Sequence, residues 1–184
     1  MTTATITRTL IPTGIWTADA VHSKAGFAVK HMGIATVRGE FTDFAGELEI
    51  GDDISNAKVQ GKIQVASVDT GEDQRDAHLR SPDFFDAETY PELRFSADDI
   101  AIDGGTLTVE GEITIKGVTK PVVVTGTVAE PLTDPYGNER IGLAVSTTVD
   151  RTEFGVSWNN PLPGGKPALA DEVRIVGELA FVKA

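Results

Sequence analysis

The stretch Thr106-Leu107-Thr108-Val109-Glu110-Gly111-Glu112-Ile113-Thr114-Ile115-Lys116 decides the fold. Leu107, Val109, Ile113 and Ile115 share one parity, and the Thr, Glu and Lys side chains take the other. Period two with one polar face marks an antiparallel strand that covers a core on one side only. The pattern recurs from Ala57 to Val68, where Val59, Ile63 and Val65 oppose Lys58, Gln60, Lys62 and Gln64. It recurs again near the C-terminus, where Val173, Ile175, Leu179 and Phe181 oppose Arg174 and Glu178. Further strands are read at Ala25–His31, Thr36–Ile50, Leu93–Ile102, Val122–Glu130 and Ile141–Arg151.

Parity switches inside two of these segments. Phe41 is odd while Phe44, Leu48 and Ile50 are even; Leu93 and Phe95 are odd while Ile100 and Ile102 are even. A bulge or bend in each strand is expected there. Asp103-Gly104-Gly105 reads as a short hairpin turn and Asp134–Asn138 as a longer one. A tight break is expected at Gly117–Pro121, because Pro121 has no N–H for a ladder. One short helix is predicted near residues 72–80, ending before Pro82, and Asn159–Ala170 reads as a Pro/Gly-rich loop. Long, one-sided antiparallel strands roll into a barrel, here of about eight. Residues 1–13 are expected to be a flexible N-terminal segment, and 14–184 a single domain.

Gly61, Gly111, Gly126 and Gly177 fall on the apolar parity of their strands. Either they let the strands coil as the barrel closes, or they leave room for a ligand inside. An eight-stranded barrel can fill with its own side chains or hold one small ligand.

Composition narrows the function. The 184 residues carry 28 acidic and 16 basic side chains, a formal charge of -12. That field repels nucleic-acid phosphates and disfavours anionic membrane surfaces. Cysteine is absent, which removes disulfides, thiol nucleophiles and Cys-based metal sites. His22 and His31 have opposite strand parity, so no metal site is assigned. The Met1–Ile11 stretch reads as neither a signal peptide nor a span, giving the expectation of a soluble cytoplasmic protein without stable membrane insertion. Arg75, Asp76 and His78 could form an acid–base group, or a structural network that caps the barrel mouth. Phe84 and Phe85, after the helix, read as a plug of the barrel end or as the lining of a lipid entrance.

Several motifs resemble the YceI-like family. They are Trp16–Asp19 with His22-Ser23, Phe27–His31, Gly39–Gly46, Ser67–Thr70, Arg75–Ser81 and Asp83–Asp86. Tyr90-Pro91, Phe95-Ser96, Gly111–Pro121 and Arg151–Gly155 follow in the same order, so the likeness runs from about Gly14 to the C-terminus. The resemblance implies an all-β, lipocalin-like antiparallel barrel with one short helix, often dimeric and not enzymatic. It implies storage or transport, in the lumen, of a long apolar molecule: a polyisoprenoid, an isoprenoid quinone or a fatty-acid amide. Many family members carry a periplasmic signal, and this chain is expected to depart from that. No cofactor is required; a quinone or polyprenyl lipid would be the bound group.

Under that implication the lumen is expected to be lined by Val59, Gly61, Ile63, Val109, Gly111, Ile113, Val124, Gly126, Ile175 and Gly177. The mouth is expected to hold His22, Ser23, His31, Arg75, Asp76 and His78, with Phe84 and Phe85. Two alternatives stand beside this reading: a lipid-modifying enzyme using Arg75, Asp76 and His78, and a filled barrel serving as an interaction module.

Overall fold

The alternating segments form eleven strands in the structure, a computed structural model that describes residues 11–184. In chain order they are β1 (Gly14–Ala18), β2 (Lys24–His31), β3 (Ala35–Phe41), β4 (Phe44–Ile50), β5 (Lys58–Gln64), β6 (Val68–Asp69), β7 (Glu92–Asp103), β8 (Thr106–Ile115), β9 (Val118–Thr133), β10 (Glu139–Asp150) and β11 (Leu169–Lys183). The single α-helix among the described residues, α1 (Asp73–Arg80), starts one residue inside the expected span because Glu72 is its cap, accepting from Gln74 N–H.

β1, β4, β5, β7, β8, β9, β10 and β11 close a ring of eight antiparallel strands, with β1 pairing to β11. β2, β3 and β6 extend β1, β4 and β5 beyond breaks in the wall, so the long β11 pairs with β1 at one end and β2 along the rest. The predicted parity switches mark real irregularities. Thr42-Asp43 separates β3 from β4, and the β7–β8 register shifts between Ala97 and Asp99. Each extra residue restores the apolar side chains to the inner face.

Two apolar clusters fill the ends of the barrel. One end is floored by Trp16, fully buried, packed with Leu48, Ile50, Ile100, Leu107 and Phe181. Packing begins before the strand: Ile11 is 2% exposed within this cluster, and the Pro12 carbonyl accepts from Trp16 Nε1 at 3.0 Å. Residues 1–10 of the segment expected to be flexible lie outside the described residues. At the other end, Phe41, Val65, Phe84, Leu93, Ile115 and Phe154 pack beneath α1 and the 155–168 loop.

The break expected at Gly117–Pro121 is corrected. The turn is Lys116-Gly117, both at positive φ, and β9 runs straight through Pro121. Proline is tolerated because β9 has only β8 as a partner there. The β9–β10 ladder stops at Thr125–Ser146, and Thr147 Oγ1 donates to the Val123 carbonyl at 2.8 Å instead. A narrow seam thus notches the wall at the helix end.

Candidate functional site

Between the two end clusters lies a cavity of about 560 Å³. This falls in the range of ~300–1,000 Å³ typical of small-molecule sites. Its wall is almost wholly aliphatic and aromatic, because every strand turns its apolar parity inward. Of the expected lining, Val59, Gly61, Ile63, Val109, Ile113, Val124, Ile175 and Gly177 reach the cavity.

Gly111 and Gly126 do not reach it, which corrects the expectation for those two. A Cβ on Gly126 would overlap the Ala144 carbonyl, and one on Gly111 would overlap the Ser96 carbonyl and press on Ala97 and Phe95. Both serve close approach of neighbouring strands. Gly61 is different: the nearest atom to an added Cβ is Phe95 Cβ at 3.8 Å, so its missing side chain is lumen space. The two readings of the strand glycines therefore divide by position.

The mouth is framed by the β2–β3 turn, α1 with the segment after it, and the 155–168 loop. His31, Arg75, His78, Phe84 and Phe85 all reach the cavity here. His78 sits edge-on between Phe84 and Trp158, with ring centroids 4.9 and 4.7 Å away, and its Nε2 lies 2.9 Å from Asp83 Oδ2.

His22 and Ser23 are corrected as mouth residues. They occupy the break between β1 and β2, where His22 Nδ1 meets Asp19 Oδ2 at 2.8 Å on the outer surface. Ser23 Oγ accepts from Ala180 N–H at 2.9 Å, splinting the kink to β11. Asp76 is also removed from the cavity. It is buried beneath α1 and accepts from Thr70 N–H at 2.9 Å and Thr70 Oγ1 at 2.6 Å.

Arg75 Nε donates to the same Thr70 hydroxyl at 2.7 Å, and its Nη2 donates to the Thr70 carbonyl at 2.9 Å. Arg75 and Asp76 thus clamp the turn into α1. The carboxylate beside His78 is Asp83, so Arg75, Asp76 and His78 do not converge as an acid–base group. Among the described residues, no three His, Asp or Glu side chains gather as a metal site.

Two residues of the site went unassigned at the sequence level. Trp158 lines the mouth from the residue just before the Pro/Gly-rich Asn159–Ala170 stretch, where nothing periodic marks it. Arg151 is 6% exposed. It donates to the carbonyls of Ala170 (2.9 Å), Val156 (2.7 Å) and Trp158 (2.9 Å), tying the loop to β11. Burial pushes its guanidinium pKa down, against the pull of Asp171 at 3.7 Å. The Arg151–Gly155 motif was the only available signal for it.

Fold and cavity together define a class: a closed antiparallel barrel with an aromatic floor, an apolar lumen and a mouth beside one helix. A family profile described as the YceI-like domain matches residues 16–181. Protein YceI of Escherichia coli is 33% identical over 139 residues, 75% of this chain and 73% of that one. The chain belongs to the YceI-like family. Among solved structures, BcnA of Burkholderia cenocepacia superposes with a TM-score of 0.75 at 28% identity, covering 89% of this chain and 98% of that one. A polyisoprenoid binding domain from Saccharophagus degradans, implicated in plant cell wall breakdown, superposes at 0.69 over 92% of this chain and 98% of its own. At 16% identity that likeness concerns the fold alone.

Proposed function

We propose that this protein binds, without chemically altering it, one isoprenoid-type lipid whose apolar chain lies in the lumen and whose polar end lies at the mouth. The observation that carries this is the cavity, about 560 Å³ with an almost unbroken apolar wall. Such a wall rewards an apolar chain by about 25 cal/mol for each Å² it covers and offers nothing to a polar solute. Polar groups at the mouth include His31, Arg75, His78 and Asn160, which suits a small head group such as a hydroxyl or quinone carbonyl. The family relationship supports the same reading, as does the polyisoprenoid-binding description of a protein with this fold.

Volume limits the length of chain. A methylene occupies roughly the volume of a liquid water, ~30 Å³. The lumen therefore takes at least roughly 19 carbon-sized groups, about four isoprene units. A longer polyprenyl tail leaves through the mouth. The test is solvent extraction of the purified protein with mass spectrometry of the extract, beside native mass spectrometry of the intact sample. A stoichiometric prenyl compound supports the reading. A protein that is empty, and that takes up no added prenol, refutes it.

A further inference from the structure

The turn joining β2 and β3 puts apolar side chains where polar ones are the rule. Ile34 is 82% exposed and Met32 is 45% exposed. Met32 and Gly33 hold the tip in a tight left-handed turn, at φ 55° and 70°. Met32 and the adjoining His31 also line the cavity, so the tip belongs to the mouth itself. Met32 N–H donates to the Ala168 carbonyl at 2.6 Å, clipping the tip to the Asn159–Ala168 loop. That loop is exposed at Pro161, Pro163 and Pro167, and Lys166 is its one charge. Tip and loop together make a continuous lip along one side of the mouth.

Charge separates this lip from the rest of the molecule. The chain has 28 acidic side chains, yet none falls between Ala20 and Gly39 or between Phe154 and Ala170. Acidic side chains border it instead: Glu72, Asp73 and Asp83 at α1, and Glu153 and Asp171 at the two ends of the loop. Screening confines surface repulsion to about 8 Å at physiological salt. The tip and loop thus bring no carboxylate of their own to a phosphate-bearing surface, and Ile34 leads the contact, despite the overall charge of -12.

We propose that this lip seats on a phospholipid bilayer, Ile34 and Met32 entering the interface, so that the ligand passes between bilayer and lumen without crossing bulk water. The proposal rests on the lipid-binding reading above, and it adds the surface from which the lumen is loaded.

The test uses phosphatidylcholine vesicles carrying a dilute fluorescent prenyl lipid. Vesicle flotation and the rate of probe transfer are measured for wild type, Ile34→Asp and Val21→Asp. Val21 is 87% exposed at the β1–β2 break, away from the mouth, and controls for loss of any exposed apolar side chain. Ile34→Asp should lower transfer by at least about tenfold and abolish flotation, because a carboxylate resists burial in the interface. Val21→Asp should leave both unchanged. Uptake of farnesol added without vesicles, read from Trp158 emission, should be equal in all three proteins. Transfer that ignores Ile34, or falls equally with Val21→Asp, overturns the lip. So does conversion of a dimer to a monomer by Ile34→Asp with transfer intact, which would mark the lip as a contact between copies of this chain. Failure of wild type to take up farnesol while Ile34-dependent flotation persists would sink the lipid-binding reading and leave the docking surface standing. Failure of both would remove both.

Discussion

Gly61→Leu should weaken ligand binding severely while leaving the fold at least as stable. The Cβ meets nothing closer than 3.8 Å, and the side chain grows into the cavity from the middle of β5. Four added carbons displace about four ligand carbons from the lumen, a loss near 3 kcal/mol at ~0.8 kcal/mol per methylene. That is about a hundredfold in Kd. Replacing a strand glycine also removes an entropic penalty of roughly 0.5–1 kcal/mol, so Tm should hold or rise. Gly126→Ala is the opposite case: one methyl group overlaps the Ala144 carbonyl, and Tm should fall by several degrees. Titration with geranylgeraniol, beside thermal unfolding of both variants, decides the matter. Unchanged affinity in a folded Gly61→Leu protein, or an unchanged Tm in Gly126→Ala, would refute the division of these glycines into lumen space and strand contact.

Other outcomes follow from the same geometry. Trp158 lines the mouth whereas Trp16 is sealed in the floor, so ligand should shift tryptophan emission and Trp158→Phe should abolish the response without abolishing binding. Arg151→Met leaves three loop and strand carbonyls without their donor; urea unfolding should show a loss of about 3 kcal/mol, and ligand should dissociate faster from the loosened mouth. Asp19 is held at a pKa of about 2, first by Arg140 and then by His22, and Arg140 holds Asp134 low as well. A depressed carboxyl pKa stabilises the fold above its ordinary value and loses that contribution as pH falls through the folded value. Thermal stability should therefore drop between pH 3.8 and about 2, and Arg140→Met should flatten that slope.

Much of the barrel was legible because a wall with one wet face imposes strict alternation. Even the breaks at Thr42-Asp43 and after Ala97 announced themselves as parity switches. β1 did not. Gly14–Ala18 is five residues long and mixes Gly, Ile, Trp, Thr and Ala without a readable period, yet it closes the ring and delivers the floor tryptophan. Pro121 misled because the rule against central-strand proline presumes two partners, and at the seam β9 has one. The lumen was legible where parity alone decides, as at Val59, Ile63 and Ile175. It failed at Gly111 and Gly126, where distance to the neighbouring strand decides, and sequence carries no such distance. The mouth was the least legible part. His22 and Ser23 belong to a family motif but lie at a strand kink, and Asp76 turns under α1 to Thr70. Trp158 and Arg151 act through a loop whose path no periodicity encodes.

The most direct measurement is a chain-length series. Farnesol, geranylgeraniol and solanesol would be titrated against the protein with Trp158 emission as the signal. A lumen of about 560 Å³ predicts affinity that rises steeply from farnesol to geranylgeraniol, with a smaller gain per isoprene unit from there to solanesol as the chain outgrows the wall. Affinity that does not depend on chain length, or no binding by any of the three, would contradict the account of the lumen as a site for an isoprenoid chain.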